Sequence, residues 1–498
     1  MLYTSTRDKS IQVESSYAIS HGISKEGGLF VPVEIPKISL DDISRLVNYS
    51  YIDRAKDILS LYLTDFTDEE LDKCVNGAYG NNHFSSEKVA PLHTLNGNTE
   101  VLELWKGPTC AFKDMALQIL PYLLTTAAAK SVPDKQIVIL VATSGDTGKA
   151  ALEGFKDVPG TRILVFYPND GVSPMQKLQM TTQEGGNVGV CAIEGNFDDA
   201  QSGVKKIFTD KNFAEKLDKM GMMFSSANSI NWGRLVPQIV YYVSAYCDMI
   251  EKEKIKLGDE INIVVPTGNF GNILAAYYAK EMGIPVKKLI CASNSNNVLT
   301  DFLKTGIYNK NRDFYTTISP SMDILISSNL ERLLFLLSGM DDCAVREWMS
   351  ELSTEGKYQV SDSVFEAIRD MFESGSCDDE GTKATIAKVF EDTNYLCDTH
   401  TAVAVSVYDD YVSVTADMTP TVIASTANPF KFSASVLDAI RPGMSDGMDE
   451  FDVVLGLHVE TGADCPPQLA NLKDKTPRFT GCCRKDEMEN IVINMLSE

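Results

Sequence analysis

The middle of the chain alternates short, uniformly apolar runs with helical segments, and this alternation constrains the fold more than any other feature. The runs at 136–142 (QIVILVA) and 260–265 (EINIVV) are rich in β-branched residues, which is typical of strands buried on both faces. Similar runs occupy 162–167, 188–193 and 287–292, with helical spacing between them. Strands that alternate with helices form βαβ units, so the sequence predicts parallel sheets flanked by helices.

Two of these runs end in glycine-rich turns, SGDTG (144–148) and TGNFGN (267–272). A turn of this kind opens a helix, and its backbone N–H groups can hold an anion. The first turn is not a nucleotide P-loop, because only two residues separate Gly145 from Gly148. The second lacks the G-x-G-x-x-G of dinucleotide folds. The sequence therefore predicts an anion site and argues against ATP and NAD.

A single lysine, Lys113, lies at the centre of the segment 107–118 (GPTCAFKDMALQ). Most lysines are solvated surface residues. A lysine that bonds to an aldehyde needs a partly desolvated site, which Phe112, Met115 and Leu117 can supply. A desolvated lysine together with a phosphate cradle is the minimum equipment for pyridoxal phosphate chemistry.

Composition excludes several other classes. The chain has 498 residues, enough for two or three domains, and Lys+Arg 45 against Asp+Glu 69 gives a net charge of −24. An acidic chain is poorly suited to nucleic acids or anionic membranes. No apolar run approaches the ~18 residues of a membrane span, and the start of the chain has no signal-peptide pattern.

Cysteine and histidine usage gives no indication of a metal site. The 11 cysteines form no C-x-x-C pair, and the five histidines show no H-x-x-x-H spacing. We therefore expect no metal, free thiols and a reducing, cytoplasmic compartment.

Eight stretches, in this order along the chain, resemble threonine synthases of the bacterial and fungal type, which are fold type II (tryptophan synthase β-like) pyridoxal phosphate enzymes. They are YTSTR (3–7), GGLFVP (27–32), GPTCAFKDMALQ (107–118), VATSGDTG (141–148), SANSINWGRLVPQIVYY (226–242), PTGNFGN (266–272), HTAVA (400–404) and STANPFKF (425–432). Each motif is weak by itself, but the set covers nearly the whole chain.

The resemblance implies an α/β fold with two open, largely parallel sheets and flanking helices. We expect a mixed helical N-terminal subdomain (1–90), a large cofactor-binding domain (91–135, 228–293 and 393–498), a small α/β domain (136–227) and a helical insertion (294–392).

The resemblance also implies roles for individual residues. Lys113 would carry pyridoxal phosphate covalently and act as the catalytic base. The cofactor-binding residues would be Gly268, Asn269, Phe270, Gly271 and Asn272 at the phosphate, Thr426 at the pyridine nitrogen and Asp146 at the ring. The substrate-binding residues would be Ser144, Thr147, Asn228 and Arg234, with Arg234 as the candidate for the substrate phosphate.

Two positions depart from the family pattern. Cys110 replaces a small or aliphatic residue, and Asn428 replaces the histidine of STAHP, so we assign no catalytic histidine. Asp114 and His400 are expected to be structural.

The implied reaction converts O-phospho-L-homoserine and water into L-threonine and phosphate, in a monomer or homodimer. Two alternatives remain open at this point. One is a phospho-lyase that releases 2-oxobutyrate, and the other is a β-replacement enzyme that uses O-phosphoserine. Motifs do not separate these reactions, because they differ in how water is controlled around Cβ.

Overall fold

The computed structural model describes residues 1–80, 82–143, 145–170 and 172–497. Its strands are β1 (Tyr3–Ser5), β2 (Asp8–Val13), β3 (Phe30–Pro32), β4 (Leu92–Asn96), β5 (Thr99–Glu103), β6 (Gln136–Ala142), β7 (Thr161–Pro168), β8 (Val188–Glu194), β9 (Met222–Ser225), β10 (Ile261–Pro266), β11 (Val286–Ser293), β12 (Ile307–Asn309), β13 (Lys357–Gln359), β14 (Phe372–Ser376), β15 (Thr421–Ser425) and β16 (Cys482–Arg484).

The helices surround these strands. They are α1 (Ser15–His21), α2 (Leu40–Val47), α3 (Tyr51–Tyr62), α4 (Asp68–Tyr79), α5 (Asp114–Leu117), α6 (Leu120–Ser131), α7 (Asp146–Phe155), α8 (Pro174–Thr181), α9 (Phe197–Thr209), α10 (Lys211–Lys219), α11 (Trp232–Glu251), α12 (Gly271–Met282), α13 (Val298–Thr305), α14 (Leu330–Leu337), α15 (Asp342–Thr354), α16 (Asp362–Met371), α17 (Asp379–Thr393), α18 (Thr399–Thr415), α19 (Ser433–Ile440), α20 (Glu450–Thr461), α21 (Pro467–Ala470) and α22 (Met488–Ser497).

Two sheets organise the chain. The larger has the order β14-β11-β10-β15-β5-β4, and its strands are parallel except for the β4–β5 pair. The smaller has the order β16-β8-β7-β6-β9 and is parallel throughout. This architecture confirms the predicted α/β class with two largely parallel sheets.

The helix α11 is buried on every side from Trp232 to Met249. A helix that is apolar all round belongs in the interior of a protein, and α11 packs against α3, α5 and α12. Asn231 begins the helix, because its side chain accepts a hydrogen bond from Gly233 N at 2.8 Å. Residues 228–231 form the loop before this helix.

Two strands pair outside the units predicted for them. The strand β14 lies within the range 294–392 that was predicted as a helical insertion, yet it forms the edge of the larger sheet. The strand β16 lies in the tail predicted to join the large domain, yet it pairs with β8 in the smaller sheet. The division into domains otherwise stays a prediction. No helix of the described residues combines the length and apolarity needed to cross a membrane.

Candidate active site

The loop that carries Lys113 is fixed from both sides. Within the loop, the buried Asp114 carboxylate accepts hydrogen bonds from Thr109 N at 2.8 Å and Thr109 Oγ1 at 2.7 Å. Across the loop, Phe112 N donates to Thr426 O at 2.8 Å. These contacts confirm that Asp114 shapes the turn, and they place Thr426 directly beside the lysine segment.

Lys113 is half-buried, and its amine donates a hydrogen bond to Ser321 Oγ at 3.3 Å. Burial lowers the pKa of Lys113, and the carboxylate of Asp146 opposes this effect. The positive charges of Lys431 and Arg234 lower that pKa further. A lysine with a lowered pKa is better suited to take a proton near neutral pH.

The turn between β10 and α12 has the features of an anion cradle. Phe270 adopts a left-handed conformation with φ of 62°, and no side chain caps the first turn of α12. Ser327 Oγ donates to Gly268 O at 2.7 Å, and Asn329 N donates to Asn269 O at 3.1 Å, so the loop is held from behind. The first turn of α12 therefore keeps its helix-terminal N–H groups for a ligand.

Two buried amide groups point to an anion at this turn. Tyr241 donates to Asn272 Oδ1 at 2.7 Å, which leaves Asn272 Nδ2 with no acceptor among the described residues. Asn329 Nδ2 is also buried without an acceptor among the described residues. It lies 3.4 Å from the position that a Cβ on Gly271 would take. Buried donors without an acceptor are costly, so the turn fits a phosphate group.

The turn and the lysine meet at the short 3-10 helix Pro320–Met322. A Cβ added to Gly268 would lie only 2.5 Å from Ser321 O, so no larger residue fits there. The same Ser321 contacts the lysine amine through its hydroxyl. The desolvated lysine and the anion cradle are therefore neighbours, as pyridoxal phosphate requires of a site.

Asp146, at the start of α7, forms a buried ion pair with Lys431. The distance from Lys431 Nζ to Asp146 Oδ1 is 2.9 Å, and both side chains are almost completely buried. Gln176 Nε2 also donates to Asp146 Oδ1, at 3.2 Å. Burial opposes ionisation of Asp146, but the charges of Lys431 and Lys113 hold the pKa of this carboxyl far below its usual range.

Arg234 projects from the first turn of α11. Its Nη1 donates to Ala227 O at 2.6 Å, and its Nε has no acceptor among the described residues. None of the described carboxylates lies within salt-bridge distance of it. Burial lowers the pKa of Arg234 to about 10, so it is a cation at neutral pH.

The other predicted substrate-binding residues are Thr147, Asn228 and Ser144. Thr147 is half-buried in the first turn of α7. Asn228 is exposed in the loop before α11, where its carboxamide accepts from Ser229 Oγ at 3.2 Å. Ser144 lies outside the described residues.

Sequence reasoning missed several residues that the structure brings to this site. Lys431 belongs to the STANPFKF motif, but nothing in the motif indicated an ion pair with Asp146. Ser321 and Asn329 lie in the range predicted as an insertion, where no motif marked them. His400 lies close to this site as well, and its Nδ1 is 2.8 Å from Asp398 Oδ2. Asn428 caps the 3-10 turn that follows it, because its Oδ1 accepts from Phe430 N at 2.9 Å.

Comparison with known families matches almost the entire chain. A model described as "Threonine synthase N terminus" matches residues 2–79. A model described as "Pyridoxal-phosphate dependent enzyme" matches residues 101–416. A third, described as "Threonine synthase, C-terminal", matches residues 401–492.

Individual relatives agree with these models. Threonine synthase-like 1 of Pongo abelii is 42% identical over 86% of this chain, and the match spans 58% of that relative's length. Threonine synthase of Pseudomonas aeruginosa is 39% identical, over 88% of this chain and 90% of its own. The crystal structure of PLP-bound threonine synthase from Brucella melitensis has a TM-score of 0.88 and 36% identity, covering 99% of both chains.

Proposed function

The chain belongs to the threonine synthase family of pyridoxal-phosphate-dependent enzymes, and we propose that it converts O-phospho-L-homoserine and water into L-threonine and phosphate. The observation that carries this proposal is the environment of Arg234. A buried guanidinium with no carboxylate at salt-bridge distance among the described residues is a strong receptor for a dianionic phosphate.

The cofactor is pyridoxal phosphate, and the site fits it. Lys113 is the residue that would hold it covalently. Its phosphate would be held by the α12 turn, with Gly268, Asn269, Phe270, Gly271 and Asn272 as the cradle predicted from the sequence. Asn329 joins this set because its Nδ2 is buried beside Gly271 and lacks an acceptor among the described residues.

Thr426 and Asp146 are the other two cofactor-binding residues predicted from the sequence. Phe112 N donates to Thr426 O, so Thr426 lies beside Lys113, where its hydroxyl would meet the pyridine nitrogen. We propose that Asp146 faces the ring, and Lys431, 2.9 Å away, balances its charge. We propose that Ser144, Thr147 and Asn228 bind the substrate alongside Arg234.

Pyridoxal phosphate supplies an electron-withdrawing ring that makes the hydrogen on the substrate Cα acidic. The Lys113 amine is the base closest to that chemistry, and its lowered pKa favours the neutral form that accepts a proton. Lys113 therefore takes the proton from Cα and returns one at the end of the reaction.

The phosphate leaves from Cγ when a Cβ proton is lost. Negative charge on the departing oxygen is stabilised by the guanidinium of Arg234, which is already desolvated and needs little reorganisation. Water then adds at Cβ, and protons return to Cγ and Cα. The balance is one water consumed and one phosphate released.

The product of a reaction in H₂¹⁸O tests this proposal. The purified holoenzyme is incubated with O-phospho-L-homoserine, and the products are identified by mass spectrometry. L-threonine with one ¹⁸O at Cβ and unlabelled phosphate would support the proposal. Accumulation of 2-oxobutyrate and ammonia would instead favour the phospho-lyase, and turnover only of O-phosphoserine would favour β-replacement. Homoserine with labelled phosphate would indicate simple hydrolysis of the ester.

A variant pair tests the role of Arg234. Arg234→Gln removes the charge but leaves a hydrogen-bond donor. We expect kcat/KM for the phosphorylated substrate to fall about 100-fold or more, with cofactor binding preserved. Arg369→Gln, a change to an exposed arginine on α16, is the matched control and should leave the kinetics unchanged. Equal kinetics for both variants would remove Arg234 from the substrate site.

The location and assembly of the protein are also proposals. All eleven cysteines belong to the described residues and are free thiols, which supports a reducing compartment such as the cytoplasm. We propose a monomer or homodimer that acts on a small molecule and has no nucleic-acid partner, consistent with the net charge of −24.

A further inference from the structure

The Lys113 amine has one hydrogen-bond partner among the described residues, and that partner is a hydroxyl rather than a carboxylate. Lys113 Nζ donates to Ser321 Oγ at 3.3 Å. Asp146, the nearby carboxylate, is paired with Lys431 instead. A hydroxyl oxygen can accept an N–H both from an ammonium group and from a neutral amine, and in the neutral amine the lone pair then stays free. Ser321 can therefore hold the lysine in both of its protonation states.

The backbone of Ser321 is fixed by a buried histidine. Ser321 N donates to His400 Nε2 at 3.1 Å, so this ring nitrogen is the acceptor and carries no proton. The other nitrogen, Nδ1, then carries the proton and donates to Asp398 Oδ2 at 2.8 Å. His400 and Asp398 are almost completely buried. The pair selects a single tautomer, the one that can accept from Ser321.

Asp398 is fixed in turn by the helix that follows it. Its carboxylate accepts from His400 N at 2.9 Å and from Thr401 N at 3.1 Å at the start of α18. The chain of contacts therefore runs from a helix N-terminus through Asp398, His400 and Ser321 to the lysine amine. Each member has its hydrogen-bond partner, which is what a rigid polar network requires.

The segment around Ser321 is anchored on its other flank as well. Asp323 accepts from Asn294 Nδ2 at 2.8 Å and from Asn296 Nδ2 at 3.0 Å. Thr317 N donates to the same carboxylate at 3.0 Å. Ser321 O lies against Gly268, within the phosphate cradle. The short turn is therefore held between the lysine, the cradle and α18.

We propose that Ser321 is a further catalytic residue, which orients the Lys113 amine, and that His400 and Asp398 are positioning residues that hold Ser321 in place. This inference rests on the proposed function in one respect, which is the reaction in which Lys113 takes part. The hydroxyl transfers no proton in this scheme. It directs the lone pair of Lys113 Nζ, both when that amine bonds to the cofactor and when it takes a proton from the substrate.

Ser321→Ala tests the proposal directly, because it removes only the hydroxyl. We expect kcat to fall about 10- to 100-fold, the effect of one hydrogen bond to a charged group, while KM changes by no more than about threefold. Ser321→Thr keeps the hydroxyl and should stay within about threefold of the unmodified enzyme. Ser338→Ala, at the end of α14, is the matched control and should have no effect.

A substrate-free measurement separates this inference from the proposed function. Apoenzyme is mixed with pyridoxal phosphate, and growth of the visible absorption band reports bond formation by Lys113. We expect the rate to fall about tenfold in Ser321→Ala and to recover in Ser321→Thr. This result would support the inference even if the enzyme made no threonine. A rate and a kcat for Ser321→Ala equal to those of the unmodified enzyme would overturn it, even if threonine were made.

His400 is tested by a double-mutant cycle. His400→Asn should lower kcat in the same direction as Ser321→Ala, and the double variant should be no slower than the slower single variant. His458→Asn, on the exposed face of α20, is the matched control. Fully additive losses would show that His400 does not act through Ser321 and would overturn its positioning role. Because Ser321→Ala decides the main claim alone, the test holds even if His400→Asn folds poorly.

Discussion

The chain contains two glycine-rich turns that connect a parallel strand to a helix, and they differ in how far their own side chains bond to the backbone N–H groups. In the turn before α7, Thr143 Oγ1 accepts from Gly145 N at 3.0 Å and from Gly148 N at 3.1 Å. Two N–H groups at the start of α7 are therefore already bonded to a side chain of the same turn. Among the described residues, none caps the turn before α12 with its side chain, and the two buried amides beside this turn have no acceptor.

The two turns also differ in the charge of the helix turn that follows them. The first turn of α7 contains Asp146, and this carboxylate already occupies the positive end of the helix. The first turn of α12 contains no acidic residue. The comparison shows that glycine spacing predicts where an anion site can form. Whether a turn binds an anion also depends on its side chains, which can accept from the backbone N–H groups of the turn or repel the anion.

The largest expected effect concerns the buried pair at the α7 turn. Lys431→Met keeps the side-chain volume but leaves Asp146 buried without its counter-charge, which should cost about 3–5 kcal/mol of unfolding free energy. The double variant Asp146→Asn/Lys431→Met should recover most of that loss. The measurement is urea unfolding of the apoenzyme. Equal losses in the single and double variants would show that the pair is not the source of stability at this turn.

Reversing the charge at the α12 turn should have the next largest effect. In Asn272→Asp, one oxygen still accepts from Tyr241, but the other would face the cofactor phosphate. We expect cofactor affinity to fall about 100-fold or more, measured by spectroscopic titration with pyridoxal phosphate. The control Asn196→Asp replaces one good cap of α9 by another and should be neutral. Unchanged affinity in Asn272→Asp would mean that the phosphate binds elsewhere.

Adding one methyl group to each turn should give different results. Gly268→Ala places a Cβ 2.5 Å from the backbone oxygen of Ser321, so the wall of the cradle has to move. We expect cofactor affinity to fall about 10- to 100-fold. Gly145→Ala meets only the end of the Gln176 side chain, at 2.6 Å, which can rotate away. Its cofactor affinity should stay within about threefold, and equal losses in both variants would contradict the comparison.

Much of this architecture could be predicted from the sequence, because it depends on local patterns. The run at 136–142 has the same bounds as the strand β6, and Lys113 lies beside its predicted cradle. The partners of β14 and β16 could not be predicted, because pairing between distant strands leaves no local pattern. The same holds for Ser321 and Lys431, which reach the site from segments far from Lys113 along the chain.

The smallest expected effect is the pH dependence of the α7 pair. The pKa of Asp146 is depressed in the folded protein, so its contribution to stability is present above its usual range near pH 4 and is lost as pH falls. Relative to Asp146→Asn/Lys431→Met, the unmodified protein should lose up to about 1.4 kcal/mol per pH unit below that range. A constant difference in unfolding free energy between pH 7 and pH 3 would contradict this assignment.

The most direct test of the account is to reduce the holoenzyme with borohydride and map the modified peptide by mass spectrometry. We predict that the pyridoxyl group is on Lys113 and that Asn272→Asp sharply lowers the amount attached at a limiting cofactor concentration. A pyridoxyl group on any other lysine, Lys431 included, or labelling that does not depend on the α12 turn, would contradict it.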